Sequence, residues 1–152
     1  MKTQVISVLT QQEAGTSRGA EILRAGGLVA FPTETVYGLG ANGLNSEAVA
    51  AIYAAKGRAT DNPSILHVSK KSDVRRLWRR MPRQAQQLMD AFWPGPLTLL
   101  MPRRESIPLV VTASLPTVAV RMPSHPVAAA LLKACNVPVA APSANRSGKP
   151  SP

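Results

Sequence analysis

Residues 56–62, KGRATDN, combine residue types that suit polyphosphate chemistry. Lys56 supplies a point charge and Arg58 a planar fork, and both groups bind phosphate oxygens well. The glycine between them lets the backbone approach a ligand closely. A plainer alternative is a solvated basic turn at a helix end, where cations complement the helix dipole. The heptamer alone favours this alternative, so the surrounding elements must decide between the two.

A second group of polar side chains follows a predicted strand. The unbroken apolar run 28–31 predicts a buried strand, and it leads directly into the loop 32–40, PTETVYGLG. This loop carries two threonine hydroxyls, a carboxylate and a phenol, and functional loops of open α/β sheets lie at strand ends. Two structural alternatives stay open: Glu34 pairs with an arginine, and Tyr37 packs into the core.

Hydrophobic periodicity places these loops among alternating helices and strands. Pro82 opens one helix, whose core face is expected to comprise Ala85, Leu88, Met89 and Phe92. Ser124 is the expected N-cap of a helix over 126–134. Further helices are predicted over 18–25 and 46–55, and further strands over 65–68, 97–101, 117–121 and 137–141.

Several predicted strand ends carry hydroxyls, amides or cations. If these strands share one sheet, the groups converge on a single cleft. Such a set suits a ligand that combines phosphates with a small polar moiety. The sequence contains no Walker glycine-rich loop, so that phosphate cradle is excluded. The groups are Thr33 and Thr35, Asn62 and His67, Arg121, and Ser143 and Asn145.

A metal site is not expected. The two histidines, His67 and His125, lie far apart in the sequence, and Cys135 is the single cysteine. Zinc sites need several such ligands at short spacing. Cys135 is therefore expected to be a core residue, and His67 is more often a structural group in such a strand. A lone cysteine also favours a reducing, cytoplasmic location.

The charge balance indicates a possible polyanionic partner. The chain has 18 basic and 8 acidic residues and a net charge of +10. Seven basic residues lie between Lys70 and Arg83, and on a helix Arg75, Arg79 and Arg83 share one side. Such a ridge can lie along an RNA backbone. A solubilising helix surface is the favoured alternative, because only Trp78 is placed to stack on a base and it can equally pack inward.

Length and composition predict one soluble domain. The chain has 152 residues, of which 45% are apolar, enough for a single core. No apolar run reaches the roughly 18 residues that a membrane-spanning helix needs. The first residues lack the features of a secretory signal. Membrane partners are therefore not expected.

Five runs, taken together, resemble the YrdC-type family of threonylcarbamoyl-AMP synthases. They occur in the family's order and cover nearly the whole chain. The resemblance implies an α/β fold, a twisted mixed sheet flanked by helices in one domain over 1–152. The runs are FPTETVYGLGAN (31–42), KGRATDNPSILHV (56–68), WPGPLTLL (93–100), TVAVRMPSHPVA (117–128) and APSANRSGKPSP (141–152).

The resemblance also implies a reaction and a set of site residues. L-threonine, bicarbonate and ATP, with Mg²⁺, give threonylcarbamoyl-AMP and pyrophosphate. Downstream threonylcarbamoyl-transferase proteins use this product to form N6-threonylcarbamoyladenosine at position 37 of tRNA. Lys56 and Arg58 would serve catalysis. Threonine would lie against Thr35, His67, Arg121 and the backbone of Ala141, and the nucleotide against Arg58, Asn62, Thr117, Ser143, Asn145 and Ser151.

The sequence departs from the family pattern at three points. Ala59 and Ser64 stand where the family usually reads KGRP and NPL, and the lost proline leaves the loop less preorganised. The family domain normally continues beyond the SGKPSP run, so the domain is expected to be shortened at its C-terminal end, with strand edges exposed. The alternative function is a non-catalytic domain that binds tRNA or double-stranded RNA.

Overall fold

Six short strands form one mixed sheet in the computed structural model, which describes residues 2–57 and 62–152. The strands β3 and β5 run parallel, and the other neighbouring pairs are antiparallel. The predicted α/β class, with a mixed sheet flanked by helices, is confirmed. The strands are β1 (Val29–Phe31), β2 (Gly38–Asn42), β3 (Ile65–His67), β4 (Thr98–Pro102), β5 (Thr117–Arg121) and β6 (Val139–Ala140), in the order β1-β2-β6-β3-β5-β4.

Helices flank the sheet on both faces. The helix α2 begins at the N-cap Asn45, whose side chain accepts a hydrogen bond from the Ala48 amide at 3.1 Å. Its position agrees with the predicted helix over 46–55. The helices are α1 (Val8–Arg24), α2 (Ser46–Lys56), α3 (Arg83–Phe92), α4 (Leu109–Thr112) and α5 (Pro126–Cys135), together with a 3-10 helix (Lys71–Arg76).

One face of the sheet is closed by α2, α3, α4 and the 3-10 helix. Leu66 of β3 and Val120 of β5 point into this side and are fully buried. They pack with Ile52 and Met89 from the helices in the larger of two core clusters. Each buried aliphatic side chain of this kind stabilises the fold by roughly 1.5 to 3 kcal/mol. This core is the rigid support for the opposite face.

The opposite face is only half covered. Helices α1 and α5 pack over β1, β2 and β6, where Phe31 and Val139 meet Leu23 and Leu131. Alternation along the strands puts residues of β3, β5 and β4 on the same face, and most of them stay partly exposed, although the last residues of β3 and β5 are buried. Leu100 of β4 has 63% of its surface exposed. The uncovered half of this face is a floor on which a ligand can lie, and we call it the open face.

Strand β2 corrects the prediction of a loop over 32–40. A Cβ on Gly40 would lie 2.8 Å from both the Phe31 ring and Val139, so a glycine lets β2 pass against β1 and β6. Gly38, Gly40 and Gly43 have the GxGxxG spacing of dinucleotide-binding loops. Here they lie in a strand and just after it, with no helix beginning at the motif, so the spacing serves packing.

Helix α1 begins at Val8, well before the predicted start at residue 18. Its two glycines and the polar run 10–13 interrupt the apolar periodicity that would have predicted it. Gly19 lies on the side of α1 that contacts α5, where a Cβ would approach Leu131 to 2.9 Å. The close approach of the two helices explains why a poor helix former occupies that position.

The predicted arginine ridge is not one helix face, so that prediction is wrong. The 3-10 helix ends at Arg76, and Trp78 forms a β-bridge with Arg103 before α3 begins at Arg83. Trp78 has only 2% of its surface exposed. It packs inward, as the alternative held, and cannot stack on a base.

Two details of the predicted helices are also wrong. In α3, Ala85 and Met89 are buried, but Leu88 and Phe92 are exposed, because the core contacts only part of that face. The N-cap of α5 is His125, whose Nδ1 accepts a hydrogen bond from the Val127 amide at 3.1 Å. Ser124 has another partner, described below. Short strands and helices such as β2 and α4 were missed because they lack a full period of the apolar pattern.

In the described part of the chain, no helix combines the length and the apolar character needed to cross a membrane. Cys135 is a free cysteine and is buried, as predicted.

Candidate active site

Arg121 is the central cation of the open face. It ends β5 with 8% of its side chain exposed, and its side chain contacts three residues in two separate segments. Its Nε donates to the Gly95 carbonyl at 3.3 Å, and its Nη1 donates to Thr35 Oγ1, also at 3.3 Å. Its Nη2 forms an ion pair with Glu34 Oε1. The guanidinium is therefore held in one orientation.

The loop between β1 and β2 presents Thr35 to this guanidinium. Thr33 Oγ1 donates to the Val36 carbonyl at 2.6 Å and accepts from the Thr35 amide at 3.2 Å. The two threonine hydroxyls are 3.1 Å apart. These local bonds replace a backbone ladder and fix the turn. Tyr37 is 46% exposed, so its alternative placement in the core is wrong, whereas the arginine partner of Glu34 is confirmed.

His67 lies beside Arg121 in the parallel pair of β3 and β5. The ring is almost fully buried, and Phe31 meets it edge-on at 6.2 Å. Burial, and after it the Arg121 charge, lower the pKa of His67 from 6.5 to about 4, although hydrogen bonds to the carbonyls of Ile65 and Val139 act in the opposite direction. At neutral pH the ring is uncharged. It therefore adds a neutral polar group to the open face.

Lys56 is buried at the end of α2, with 4% of its surface exposed. Its Nζ donates to the carbonyl of Ser143 and, at 2.6 Å, to the carbonyl of Asn145. Its own carbonyl accepts from the Ser147 amide at 3.1 Å. Lys56 thus anchors the segment that follows β6. Arg58, its predicted partner in catalysis, lies outside the described residues, as does Ala59.

The segment 142–152 is ordered by its own side chains and by β2. Asn145 Nδ2 donates to the Lys149 carbonyl at 2.8 Å, and Asn145 Oδ1 accepts from Ser151 Oγ at 3.2 Å. The Tyr37 amide donates to the Pro152 carbonyl at 3.1 Å. Asn145 and Ser151 therefore lie together, at the end of the cleft that also holds Ser143.

Asn62 begins the segment that leads into β3. Its carbonyl accepts from the Tyr53 hydroxyl at 2.8 Å, and that hydroxyl lies 2.8 Å from Ser64 Oγ. Because the Tyr53 hydroxyl donates its only proton to the Asn62 carbonyl, the Ser64 hydroxyl must donate its own proton to the Tyr53 oxygen. Ser64, one of the departures from the family pattern, is therefore a buried and satisfied polar residue that fixes the start of β3.

The two ends of the open face carry different groups. Thr117 and Arg121 lie on the same face of β5 but four residues apart, which is about 13 Å along a strand. Arg121, His67 and Thr35 occupy one end, and Thr117 the other. Between them runs an apolar row of laterally adjacent residues, Ala141, Ile65, Ala119 and Leu100.

Comparison of the sequence with known proteins shows the family to which the chain belongs. The sequence model of the Sua5/YciO/YrdC family, described as telomere recombination, matches residues 21–152. The chain belongs to this family. A threonylcarbamoyl-AMP synthase of Pyrococcus abyssi is 51% identical over 151 residues, covering 99% of this chain and 44% of that protein. One of Bacillus subtilis is 50% identical over 149 residues, covering 97% of this chain and 43% of that protein.

A solved structure agrees with the sequence comparison. The crystal structure of P. abyssi Sua5 complexed with L-threonine matches with a TM-score of 0.90 and 50% identity, over 98% of this chain and 42% of that chain. This chain therefore spans less than half the length of these relatives. The fold of the family is nonetheless present from α1 to the segment after β6.

Within this Sua5/YciO/YrdC-family chain, sequence reasoning named neither of two partners of Arg121. It allowed Glu34 to pair with an arginine without saying which one, and it did not consider the Gly95 carbonyl. An acidic residue next to a predicted ligand threonine was the available signal for Glu34. The Gly95 contact depends on tertiary structure and leaves no local pattern.

A separate pocket of about 350 Å³ contains none of the predicted site residues. Its lining includes Leu44, Asp73, Arg76 and Pro138. The predicted groups line an open face instead, which a ligand must itself cover. Within residues 2–57 and 62–152, no three His, Cys, Asp or Glu side chains come together as a metal ion would need.

Proposed function

We propose that this chain carries the site of an L-threonylcarbamoyladenylate synthase, a nucleotidyltransferase that acts on L-threonine, bicarbonate and ATP. The observation that supports it most is the buried Arg121 beside Thr35 and a neutral His67 at one end of an open sheet face. The names of the relatives and the threonine complex of one of them support the same reaction.

The Arg121 end suits the amino acid. A guanidinium binds a carboxylate through two parallel N–H bonds, and this geometry also suits a carbamate. The Thr35 hydroxyl can bond the side-chain hydroxyl or the amine of threonine. The Ala141 amide already donates to the Ile65 carbonyl at 3.1 Å, so Ala141 would bind through its own carbonyl oxygen.

The other end suits the nucleotide. We propose that Asn62, Thr117 and Ser143 contact ATP, with Asn145 and Ser151 beside them. Lys56 would act by holding the backbone at 143 and 145, and Arg58 by neutralising phosphate charge. The apolar row between the two ends gives the nucleoside a surface from which water can be displaced. Mg²⁺ would arrive with ATP, held mainly by phosphate oxygens.

The chemistry requires no covalent bond to the protein. The uncharged amine of threonine attacks bicarbonate-derived carbon and forms a carbamate with loss of water. A carbamate oxygen then attacks the α-phosphorus, and the bond to the β-phosphate breaks, which releases pyrophosphate. The protein's part is to align the reactants and to stabilise negative charge. Downstream threonylcarbamoyl-transferase proteins would take the adenylate to tRNA, in the cytoplasm.

Pyrophosphate release tests the proposal. We expect release from ATP only when L-threonine and bicarbonate are both present, because the carbamate is the nucleophile. Release is measured with a coupled phosphate assay, and the adenylate product by mass spectrometry. Release that is indifferent to threonine would contradict the proposed reaction. Serine in place of threonine provides a matched control for recognition of the methyl group.

An RNA contact is a second candidate function, favoured by the position of the charge. Half of the chain's 18 basic residues belong to two segments that contact each other and carry none of the groups assigned to the cleft, and we call them the arginine patch. Hydrogen bonds from side chains to backbone carbonyls join its two segments: Arg79 Nε donates to the Arg103 carbonyl at 2.9 Å, and Arg104 Nε to the Arg75 carbonyl at 2.7 Å. The patch comprises Lys70, Lys71, Arg75, Arg76, Arg79, Arg80, Arg83, Arg103 and Arg104.

Charge reversal separates the two functions. For the triple variant Arg75→Glu, Arg79→Glu and Arg83→Glu we expect affinity for tRNA or double-stranded RNA to fall by about 100-fold or more, with a shallower salt dependence. Pyrophosphate release should stay within about twofold of the wild type, because the patch carries none of the groups assigned to the cleft. Unchanged RNA affinity in a filter-binding titration would remove RNA as a partner of this surface.

A further inference from the structure

Glu34 uses both of its carboxylate oxygens in the cleft. Oε1 accepts from Arg121 Nη2. Oε2 accepts from the Ser124 amide at 2.7 Å and from the Ser124 hydroxyl at 2.6 Å. One side chain therefore joins the loop before β2 to the end of β5 and the segment that follows it.

This connection fixes the distance between two groups assigned to threonine. Glu34 directly precedes Thr35, whose hydroxyl accepts from Arg121 at 3.3 Å. A shift of the Glu34 carboxylate would move Thr35 and the guanidinium relative to each other. Because Ser124 holds the second oxygen, the carboxylate cannot follow the guanidinium freely.

The remaining donors of Arg121 show what this orientation provides. A guanidinium has five N–H groups. Among the described residues, the Gly95, Thr35 and Glu34 contacts account for one on each of the three nitrogens. One N–H remains on Nη1 and one on Nη2, and a bidentate carboxylate takes one N–H from each of two nitrogens. The contacts within the protein therefore leave two donors of Arg121 for a ligand.

The ion pair between Arg121 and Glu34 also supports a role for Glu34 in holding the guanidinium. A guanidinium with 8% exposure is strongly destabilised unless an anion is nearby. Burial raises the pKa of Glu34, but its bonds to Ser124 and the Arg121 charge outweigh this, and the pKa lies below the usual 4.5. Glu34 is therefore ionised at neutral pH. The other described carboxylates belong to α1, α2, the 3-10 helix, α3 and the loop at Glu105.

We propose that Glu34 is the positioning residue of the amino-acid subsite, holding Arg121 so that its two outer N–H groups bind the carboxylate or carbamate of the substrate. The inference rests on the proposed function. It assigns no chemical step to Glu34, which acts through Arg121. It makes threonine affinity, and not nucleotide affinity, the property that depends on Glu34.

The test is the isothermal calorimetry of L-threonine and of ATP with the full chain and its variants. For Glu34→Gln we expect the Kd for threonine to rise about 10-fold or more, because the amide keeps the shape but loses the ion pair. The Kd for ATP should change less than about twofold. Glu34→Asp keeps the charge but is too short to span both partners, so its threonine affinity should be intermediate.

Two further variants keep the test independent of folding. Ser124→Ala removes one anchor of the carboxylate without contacting Arg121, and we expect a threonine Kd about threefold higher. Glu105→Gln breaks the exposed pair with Arg79 at 3.3 Å and should change neither Kd. Thermal unfolding of each variant checks that the fold persists.

The outcomes of the calorimetry distinguish this inference from its alternatives. A threonine Kd unchanged in both Glu34→Gln and Ser124→Ala overturns the inference. Tighter threonine binding in Glu34→Gln also overturns it, because Glu34 would then compete with the substrate for Arg121. An equal loss of ATP and threonine affinity would show a general structural role. If the wild type binds no threonine at all, the proposed function itself fails, and the inference with it.

Discussion

Replacing Arg121 with alanine is expected to lower kcat/KM for threonine by about 100-fold to 1,000-fold, which corresponds to roughly 3 to 4 kcal/mol. The loss is large because Arg121 is nearly buried, so that its attraction to the substrate anion is weakly screened by water. The KM for ATP should change much less. Arg121→Lys keeps the charge but lacks the planar fork, so we expect an intermediate loss.

The measurement is steady-state pyrophosphate release with threonine varied at saturating ATP and bicarbonate. Arg24→Ala is a matched control, because Arg24 also donates to a backbone carbonyl, that of Ala134 at 2.7 Å, but on the exposed side of α1. It should behave as the wild type. A threonine KM in Arg121→Ala within about threefold of the wild-type value would place the amino acid elsewhere.

A second large effect should appear in the pH dependence of stability. The folded-state pKa of His67 is about 4, against an ordinary value of 6.5. Between these values the unfolded chain binds a proton that the folded chain does not, so stability falls as the pH falls. From pH 7.5 to pH 4.5 this contributes a loss of about 2.5 kcal/mol, at roughly 1.36 kcal/mol for each pH unit.

Urea denaturation at both pH values measures this loss, with His67→Gln as the reference. The variant cannot titrate at this position, so its free energy of unfolding should depend less on pH by the stated amount. The Glu34 carboxyl, whose pKa lies below 4.5, contributes mainly under more acidic conditions. Parallel pH profiles for the wild type and His67→Gln would show that burial does not perturb the ring.

Sequence reasoning succeeded where the apolar pattern and the local motifs agreed. In β5 the two valines lie on one face and Arg121 on the other, and in β3 Leu66 and His67 point to opposite faces, so β3 and β5 were predictable. The family runs then placed Thr35 and Arg121 together, and the structure joins them by a hydrogen bond. The nucleotide contacts stay predictions, and Arg58 lies outside the described residues.

The failures have a common physical cause. Residues 70–83 were interpreted as a helix because their arginines recur with helical spacing, yet Trp78 leaves that spacing to pair with Arg103. Gly40 was assigned to a loop. The need for a glycine there comes from the Phe31 ring on the neighbouring strand β1, and the local sequence does not reveal that contact. Ser124 was taken for a helix cap, but its amide and hydroxyl bind Glu34. In each case a contact distant in sequence overrides a local preference.

The buried Lys56 couples the end of α2 to the turn that carries Thr35. Its ammonium group ties the helix end to the backbone at Ser143 and Asn145. The amide of Ala144, between these two residues, donates to the Tyr37 carbonyl at 2.8 Å. A displacement of the Lys56 side chain should therefore be transmitted through this short relay of backbone groups to the hydroxyl assigned to the amino acid.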